Sequence, residues 1–381
     1  MNKILKNIEI SLPEGEFLKK LESTKVLNVK MGFDPTSPDL HLGHAIAIKK
    51  MKELQDLGHK IIIIIGDFTA RIGDPSGKDK TRPILSKEEI EKNAKTYINQ
   101  LGKILDVSKI EIKRNSEWFN ELKLDEFISL LSNYTVQQIL ERNDFKGRLE
   151  KGNPISMHEI VYPLIQGYDS IKVDADIEIG GQDQLFNLLI GRYLQEKYGK
   201  APQTIICTPL LKGTDGKNKM SKSLKNYVGL TDLPHNMYGK IMSIPDSLID
   251  EYFELATSFN EEEKKEIKKQ NNPLNIKKRI AFNIVEQYYS KTDAEKAQKD
   301  FENKFQKRKL EDIDFVEVEM MQGETLLELI HRLLKRSKSE IRELFKNGAV
   351  SVDGKKIFDI NFKPQKNFIL KVGKLHYFKI K

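Results

Sequence analysis

The segment Lys60-Ile61-Ile62-Ile63-Ile64-Ile65-Gly66-Asp67 restricts what this chain can fold into more than any other. Five consecutive isoleucines leave no polar side for water. The run therefore reads as a central strand covered on both faces, of the parallel type. It is the longest aliphatic run in the chain, far short of the roughly 20 residues that span a bilayer. A parallel strand needs neighbours joined through crossover helices. Val26–Met31, Lys109–Lys113 and Ile177–Ile179 are candidate strands, each leading into helical periodicity. Such alternation predicts an α/β fold built on a doubly wound parallel sheet, with ligands at the carboxyl ends of the strands.

The loops at those ends carry the polar chemistry. After Val26–Met31 comes Gly32-Phe33-Asp34-Pro35-Thr36-Ser37-Pro38-Asp39-Leu40-His41-Leu42-Gly43-His44, where two prolines and two aspartates oppose regular structure. Ala47, Ile48, Met51 and Leu54 then recur at helical spacing, and Gly58 reads as a stop. His41 and His44 sit three apart at the helix start, so both imidazoles can face one target. A helix N-terminus suits a phosphate, and Gly43 lets a ligand approach the backbone. Alone, a His-x-x-His pair is more often a surface pair or half a metal site. The glycine-rich loop Gly73-Asp74-Pro75-Ser76-Gly77-Lys78 fails as a nucleotide P-loop, because Ile72 replaces the first glycine and Asp79 follows the lysine. Tyr162, Gln166 and Asp169 fall at i, i+4 and i+7, one helical stripe suited to a small polar ligand. Gly180-Gly181-Gln182-Asp183-Gln184 is a second strand-to-helix turn, in which Asp183 could accept from ribose hydroxyls or simply cap a helix. Gly213-Thr214-Asp215-Gly216-Lys217-Asn218-Lys219-Met220-Ser221-Lys222-Ser223 is expected to be a mobile basic loop able to close over a triphosphate.

Length bounds the domain count: 381 residues exceed one ordinary core. Hydrophobic content of 39% with 31% charged residues describes a soluble protein. The first residues lack the long apolar segment of a secretory signal. The single cysteine, Cys207, lies beside Ile205 and Ile206 and is expected in a buried strand, which excludes an internal disulfide or a multi-cysteine zinc site. A cytoplasmic address follows. The net charge of +8 belongs to the tail, where Met321–Lys381 holds 14 Lys or Arg against 6 Asp or Glu. A compact basic tail suggests a polyanion partner. Leu233 to Gln306 reads as helical, with a Glu261–Lys265 surface pair and a break at Asn271-Asn272-Pro273. The polar stretch Lys307–Glu317 reads as a linker. Thr325-x-x-Glu328 and Ser337-x-x-Glu340 are capping boxes, and Val350-Ser351-Val352-Asp353-Gly354-Lys355 signals a hairpin. The expected domains are a catalytic one at 1–228, a helical one with linker at 229–318, and a basic RNA-binding module at 319–381.

His41-Leu42-Gly43-His44, paired with the distant Lys219-Met220-Ser221-Lys222-Ser223, resembles the double signature of class I aminoacyl-tRNA synthetases. Asp34-Pro35-Thr36, the Gly73–Lys78 loop, Tyr162-x3-Gln166-x2-Asp169 and Gly180-Gly181-x-Asp183-Gln184 resemble motifs of the bacterial tyrosyl-tRNA synthetases. The tail resembles a small ribosomal-protein-like RNA-binding fold. The likeness covers nearly the whole chain and implies a Rossmann-like catalytic sheet, a helical anticodon-binding domain and an α+β tail. It implies activation of L-tyrosine by ATP, as the Mg2+ complex, to tyrosyl-adenylate and pyrophosphate, then transfer to the 3′ end of tRNA(Tyr). A homodimer without resident cofactor or zinc is expected, with no membrane partner. Thr36, His41 and His44 would donate to the phosphates, and Lys219 and Lys222 would close over the pyrophosphate. Gly43, Gly181, Asp183 and Met220 would complete the ATP site. Asp74, Tyr162 and Gln166 would hold the substrate ammonium, Gln184 would lie by its carboxylate, and Asp169 would meet the phenol hydroxyl. One departure stands out: many relatives place a tyrosine, a second hydroxyl partner, where this chain has Lys30. Tryptophanyl-tRNA synthetases are the nearest rival reading, opposed by the basic tail and the Tyr162/Gln166/Asp169 stripe. A scaffold that only binds RNA is opposed by the intact His41, His44, Lys219 and Lys222.

Overall fold

The computed structural model describes residues 4–76, 85–270, 272–305, 316–321, 323–362, 367–373 and 376–381. Gly77 and Lys78 of the glycine-rich loop, and most of the expected linker, lie outside these residues. The chain forms two units, Met1–Phe301 and Glu302–Lys381.

The first unit opens with β1 (Ile10–Leu12) and α1 (Glu16–Glu22), neither of which was expected from the sequence. Then follow β2 (Asn28–Phe33), α2 (Leu42–Asp56), β3 (Lys60–Ile65), α3 (Lys87–Leu101) and β4 (Ile110–Arg114). The short helices α4 (Ser116–Phe119), α5 (Leu124–Leu131), α6 (Val136–Leu140) and α7 (Asn143–Glu150) lead to α8 (Met157–Lys172), β5 (Ile177–Gly181), α9 (Leu185–Lys197) and β6 (Thr204–Thr208). The sheet order is β1-β6-β5-β2-β3-β4. All pairs are parallel except β1 against β6, so the doubly wound expectation holds. Strand order reverses between β2 and β5, and a crevice opens at the carboxyl ends of strands at such a point.

Strand alternation sorts the two faces. Val29, Met31 and Phe33 of β2, Ile61, Ile63 and Ile65 of β3, and Ile177 and Ile179 of β5 join one core with α2. Burying each isoleucine contributes about 1.5–3 kcal/mol. The opposite face carries Lys30 and Gly32 of β2, Ile62 and Ile64 of β3, and Glu178 and Gly180 of β5. Strand β2 begins and ends two residues later than the sequence pattern suggests. Pairing with β3 continues through Phe33↔Ile65, so irregular structure starts only at Asp34. Cys207 is buried in β6, as expected, and burial pushes its thiol up to about 12.

Helices α10 (Pro234–Met242), α11 (Ile249–Leu255), α12 (Glu261–Lys269), α13 (Pro273–Tyr288) and α14 (Lys291–Phe305) follow. Asn272 caps α13 and Pro273 occupies its first turn, where a missing N–H costs nothing. Met237, Tyr238, Tyr252, Phe253, Ile280 and Ile284 share the core that holds α2.

The second unit contains β7 (Val316–Val318), α15 (Leu326–Leu334), α16 (Lys338–Lys346), β8 (Val350–Val352), β9 (Lys355–Lys356), β10 (Phe368–Val372) and β11 (His376–Ile380). Its sheet runs β7-β11-β10-β8-β9 around Leu326, Leu329, Ile330, Ile341, Phe345, Leu370 and Ile380. Both capping boxes form, and the β8–β9 turn places Asp353 (φ 47°) and Gly354 (φ 80°) in the left-handed region that such hairpins need. The stretch expected as linker ends in β7, which pairs in parallel with β11. Pairing with a distant strand is invisible in so polar a segment.

Candidate active site

One cavity of about 820 Å³ opens at the β2/β5 switch. It is lined by Thr36, His41, Gly43 and His44 from the β2–α2 segment, Asp74 from the glycine-rich loop, and Tyr162, Gln166 and Asp169 from α8. Gly181, Asp183 and Gln184 follow β5, and Lys219, Met220 and Lys222 come from the basic loop. All fourteen expected site residues thus border a single space.

The two signature loops are tied by backbone pairing. Leu42 N–H donates to Val228 C=O (3.0 Å) and Leu230 N–H to Leu40 C=O (2.9 Å). The basic loop is a built turn. Asp215 accepts from the N–H of Lys217 (3.1 Å) and Asn218 (3.2 Å), and Asn226 accepts from Ser221 N–H (2.8 Å). Hydrogen bonds thus shape both the start and the exit of this loop. Lys222 Nζ donates to Ser37 Oγ and lies 5.6 Å from the Tyr97 ring. Lys219 Nζ pairs with Asp183, so the cation and the carboxylate expected at the ATP site hold each other.

His41 caps α2, and its ring lies 3.8 Å from that of His44. His41 N–H donates to His44 Nδ1 at 3.2 Å, which leaves the His44 proton on Nε2. Burial, then the charges of Lys222 and Lys219, depress His44 to about 3. Burial, then His44 and the same lysines, push His41 well below its ordinary value. Both are neutral donors at neutral pH. A Cβ on Gly43 would stand 3.1 Å from the His41 ring, so this glycine makes room for the imidazole as well as for a ligand.

Asp34, outside the expected set of site residues, is a hub of the site. Its carboxylate accepts from Tyr162 OH (2.9 Å) and Thr69 Oγ1 (2.6 Å). Tyr162 thereby braces the β2 exit from α8. Asp74 accepts from Ser76 N–H (2.9 Å) and Gln184 Nε2 (2.7 Å). Burial would raise the Asp74 carboxyl, but the charge of Arg142 and the bonds from Ser76 and Gln184 outweigh it and hold the carboxyl below its usual range. Arg142 is itself fixed by Asp144 (2.8 Å), Asn187 (3.0 Å) and Ser76 (2.8 Å).

Asp169 accepts from Trp118 Nε1 at 3.0 Å and Asn115 Nδ2 at 3.4 Å. Burial is the largest influence and lifts its carboxyl to about 7, against the lowering effects of Lys30, Trp118 and Asn115. Asn115 and Trp118 went unnoticed, although a polar and an aromatic residue three apart at the exit of a predicted strand are a local signal. Arg142 leaves none, since the residues that tie it to the site, Ser76 and Asn187, are distant in sequence and its near partner Asp144 reads as an ordinary surface pair. Lys30 is fully buried. Its Nζ donates to Glu178 Oε1 (2.8 Å), Ser170 Oγ (2.8 Å) and the Gln166 carbonyl (3.3 Å).

Among the described residues no cluster of three His, Cys, Asp or Glu could hold a metal, and no helix is long and apolar enough to cross a membrane.

The family model for tRNA synthetases class I (W and Y) matches residues 22–306. Tyrosine–tRNA ligase 2 of Photorhabdus laumondii is 48% identical, over 100% of this chain and 98% of its own. The tyrosine–tRNA ligase of Thermotoga maritima is 46% identical over 99% and 96%. That of Carboxydothermus hydrogenoformans is 49% identical over 97% and 94%. The tyrosyl-tRNA synthetase of Archaeoglobus fulgidus, solved with L-tyrosine, superposes with a TM-score of 0.62 at 25% identity, covering 77% of this chain and 97% of that one. A C-terminally truncated mitochondrial tyrosyl-tRNA synthetase of Coccidioides posadasii gives 0.64 at 23%, covering 78% and 90%. With likeness of this extent along the whole chain, and a cavity assembled from both signature loops, the chain belongs to the class I tRNA synthetases of the tyrosine and tryptophan type, among the tyrosine–tRNA ligases.

Proposed function

We infer that the chain activates L-tyrosine with ATP and charges tRNA(Tyr), and we assign the steps to residues as follows. The observation that carries the reading is the meeting of Thr36, His41 and His44 with Lys219 and Lys222 around one cavity that also holds Tyr162, Gln166 and Asp169. The tyrosine carboxylate attacks the α-phosphorus of ATP. The new bond joins carboxylate oxygen to phosphorus, and the bond to pyrophosphate breaks. Such transfer needs alignment and charge stabilisation more than covalent help from the protein.

Thr36 and the neutral His41 and His44 donate to the phosphates as charge builds on them. Neutral imidazoles suit this role, because their proton stays in place at working pH. Lys219 and Lys222 neutralise the departing pyrophosphate, with Met220 and Gly43 shaping the nucleotide cleft. ATP enters as its magnesium complex. The ribose hydroxyls compete for Asp183 beside Gly181 and so release Lys219 for the phosphates. Asp74, Tyr162 and Gln166 hold the tyrosine ammonium, with Gln184 by the carboxylate. Arg142 keeps Asp74 ionised for this purpose. Asp169 receives the phenol hydroxyl, and a site built for a hydroxyl rejects phenylalanine because its own polar group is left unpaired.

The helical region 229–318 serves the anticodon arm, and the basic module 319–381 adds RNA contact through its lysines and arginines. A homodimer is supported by the exposed Leu124, Ile128, Val136, Leu149 and Met157, concentrated within one stretch of the chain. We assign the protein to the cytoplasm. Amino-acid-dependent ATP–pyrophosphate exchange tests the reading. Tyrosine should support exchange, while no exchange with tyrosine, or faster exchange with tryptophan, would overturn it.

A further inference from the structure

The floor of the cavity holds an ion pair that the assigned steps do not use. Lys30 and Glu178 are direct neighbours across the β2/β5 junction, in register with one another. Both side chains are essentially without solvent contact, at 0% and 1% exposure. Glu178 nonetheless borders the substrate cavity, as does Asp169. The pair is well satisfied. Besides Glu178, the ammonium reaches Ser170 Oγ and the Gln166 carbonyl, while Glu178 Oε2 accepts from Ser170 Oγ (3.0 Å) and from Gln203 Nε2. Room for this network comes from Gly191 on α9, where a Cβ would stand 2.7 Å from Gln203 Nε2, 3.0 Å from Ser170 Oγ and 3.2 Å from Glu178 Oε2.

The two α8 contacts of Lys30, at Gln166 and Ser170, bracket Asp169 in sequence. The ammonium thus grips the turn of α8 that presents Asp169 to the cavity. A buried ion pair is weak evidence for stability, since desolvation offsets much of the attraction. Its position beneath a specificity carboxylate calls for a reason of another kind.

We propose that Lys30 is a specificity-determining positioning residue: from inside the sheet, and without touching substrate, it supplies the positive charge that keeps Asp169 an acceptor for the tyrosine hydroxyl. Here a buried cation at position 30 takes over part of the work that a direct hydroxyl partner would do. The proposal rests on the assignment of Asp169 to the phenol. Facing Asp169 are Lys30 from β2 and Glu178 from β5, with the neutral donors Asn115 and Trp118 from the β4–α4 corner. Of the two charges, the lysine acts more strongly and favours the ionised form; the glutamate opposes it. An ionised acceptor left facing a phenylalanine ring is the costly case. Discrimination against phenylalanine should therefore grow as pH rises through the titration of Asp169.

The test uses the full chain and ATP–pyrophosphate exchange, with kcat/KM for L-tyrosine and L-phenylalanine measured from pH 5.5 to 9. In the native protein the tyrosine curve should show an acidic limb that the phenylalanine curve lacks. Lys30→Met should move that limb up by about one pH unit or more, a shift of 1.36 kcal/mol per unit, and lower the tyrosine/phenylalanine ratio at pH 7 about tenfold. KM for ATP should stay within about twofold, since Lys30 lies beneath the phenol end. Lys30→Met combined with Glu178→Gln leaves no unpaired buried charge and should fold even where the single variant does not. Its limb should move the same way by a smaller amount, because repulsion is removed together with attraction. The proposal is overturned if folded variants keep the native limb and ratio, or lose activity uniformly at every pH. It is also overturned if native phenylalanine exchange shows the same limb as tyrosine exchange. Absence of native exchange with tyrosine would instead overturn the function assigned above.

Discussion

Gly66 sits where β3 ends, beneath the hydrogen bond between Asp34 and Thr69. A Cβ there would stand 2.2 Å from Asp34 Oδ1 and 2.3 Å from Thr69 Oγ1, about 1 Å inside contact distance. The Gly66→Ala methyl and that 2.6 Å bond cannot coexist. Losing a hydrogen bond to a carboxylate costs about 1.5–3 kcal/mol, and overpacking adds about 1–3 kcal/mol. A loss of roughly 3–6 kcal/mol corresponds to a melting temperature lowered by roughly 5–10 °C for a unit of this size. Asp34 also receives Tyr162 OH, and its carbonyl accepts Thr36 N–H at 2.7 Å. Displacing it moves a phosphate donor and an ammonium ligand together. Adenylate formation, followed by ATP–pyrophosphate exchange below the new melting point, should fall at least about 100-fold, the usual result of misplacing reacting groups by an ångström. Gly32→Ala is the contrast. Gly32 borders the same cavity, but a Cβ there meets no protein atom within 4 Å. The melting temperature should hold while KM for tyrosine rises, because the methyl intrudes only on bound substrate. A Gly66→Ala protein that melts and works like the native one would refute the reasoning. So would a Gly32→Ala protein that loses stability rather than tyrosine binding.

Lys222→Ala should slow adenylate formation by about 10²–10³-fold, the cost of one well-placed donor in the transition state, with little change in tyrosine affinity by equilibrium dialysis; equal loss of both would refute the role. Ending the chain at Phe305 should weaken tRNA binding in a filter assay and leave tyrosine–ATP exchange intact, and unchanged tRNA affinity would dismiss the tail as the RNA arm. The pH dependence of stability includes two opposed contributors at the site. His44 is depressed from 6.5 to about 3, so its contribution is present above pH 6.5 and lost as acid is added, by about 1.4 kcal/mol per pH unit. Asp169 is raised from 3.8 to about 7, so the native state binds the extra proton and this contribution shrinks as pH rises through the same window. Asp169→Asn removes only the second, and melting temperatures at pH 4.5, 5.5 and 6.5 should then fall more steeply with acid. A shallower slope than in the native protein would contradict the sign.

Much was legible in the chain itself wherever a physical rule acts over a few residues. Ile61–Ile65 demanded a strand covered on both faces, and the structure covers it on both. The capping residues of α15 and α16, the Asp353-Gly354 turn and the three-residue spacing of His41 and His44 are local, so their outcome follows from side-chain reach and backbone sterics. Tyr162, Gln166 and Asp169 all reach the cavity because the pitch of α8 brings i, i+4 and i+7 to one side. Only the tertiary structure decided what those groups meet. Strand β1 and strand β7, three residues each, are too short to declare themselves, and exist because β6 and β11 offer an edge to pair with. Lys219 facing Asp183, Arg142 serving Asp74, and Trp118 and Asn115 serving Asp169 join residues about 30 to 70 apart in the chain. Lys30 looked like a lost hydroxyl partner until Glu178, nearly 150 residues later, proved to be its neighbour on the adjoining strand. Burial makes the difference: a charge is cheap in water at any point of a sequence, and only the fold determines which charges leave water together and must satisfy one another.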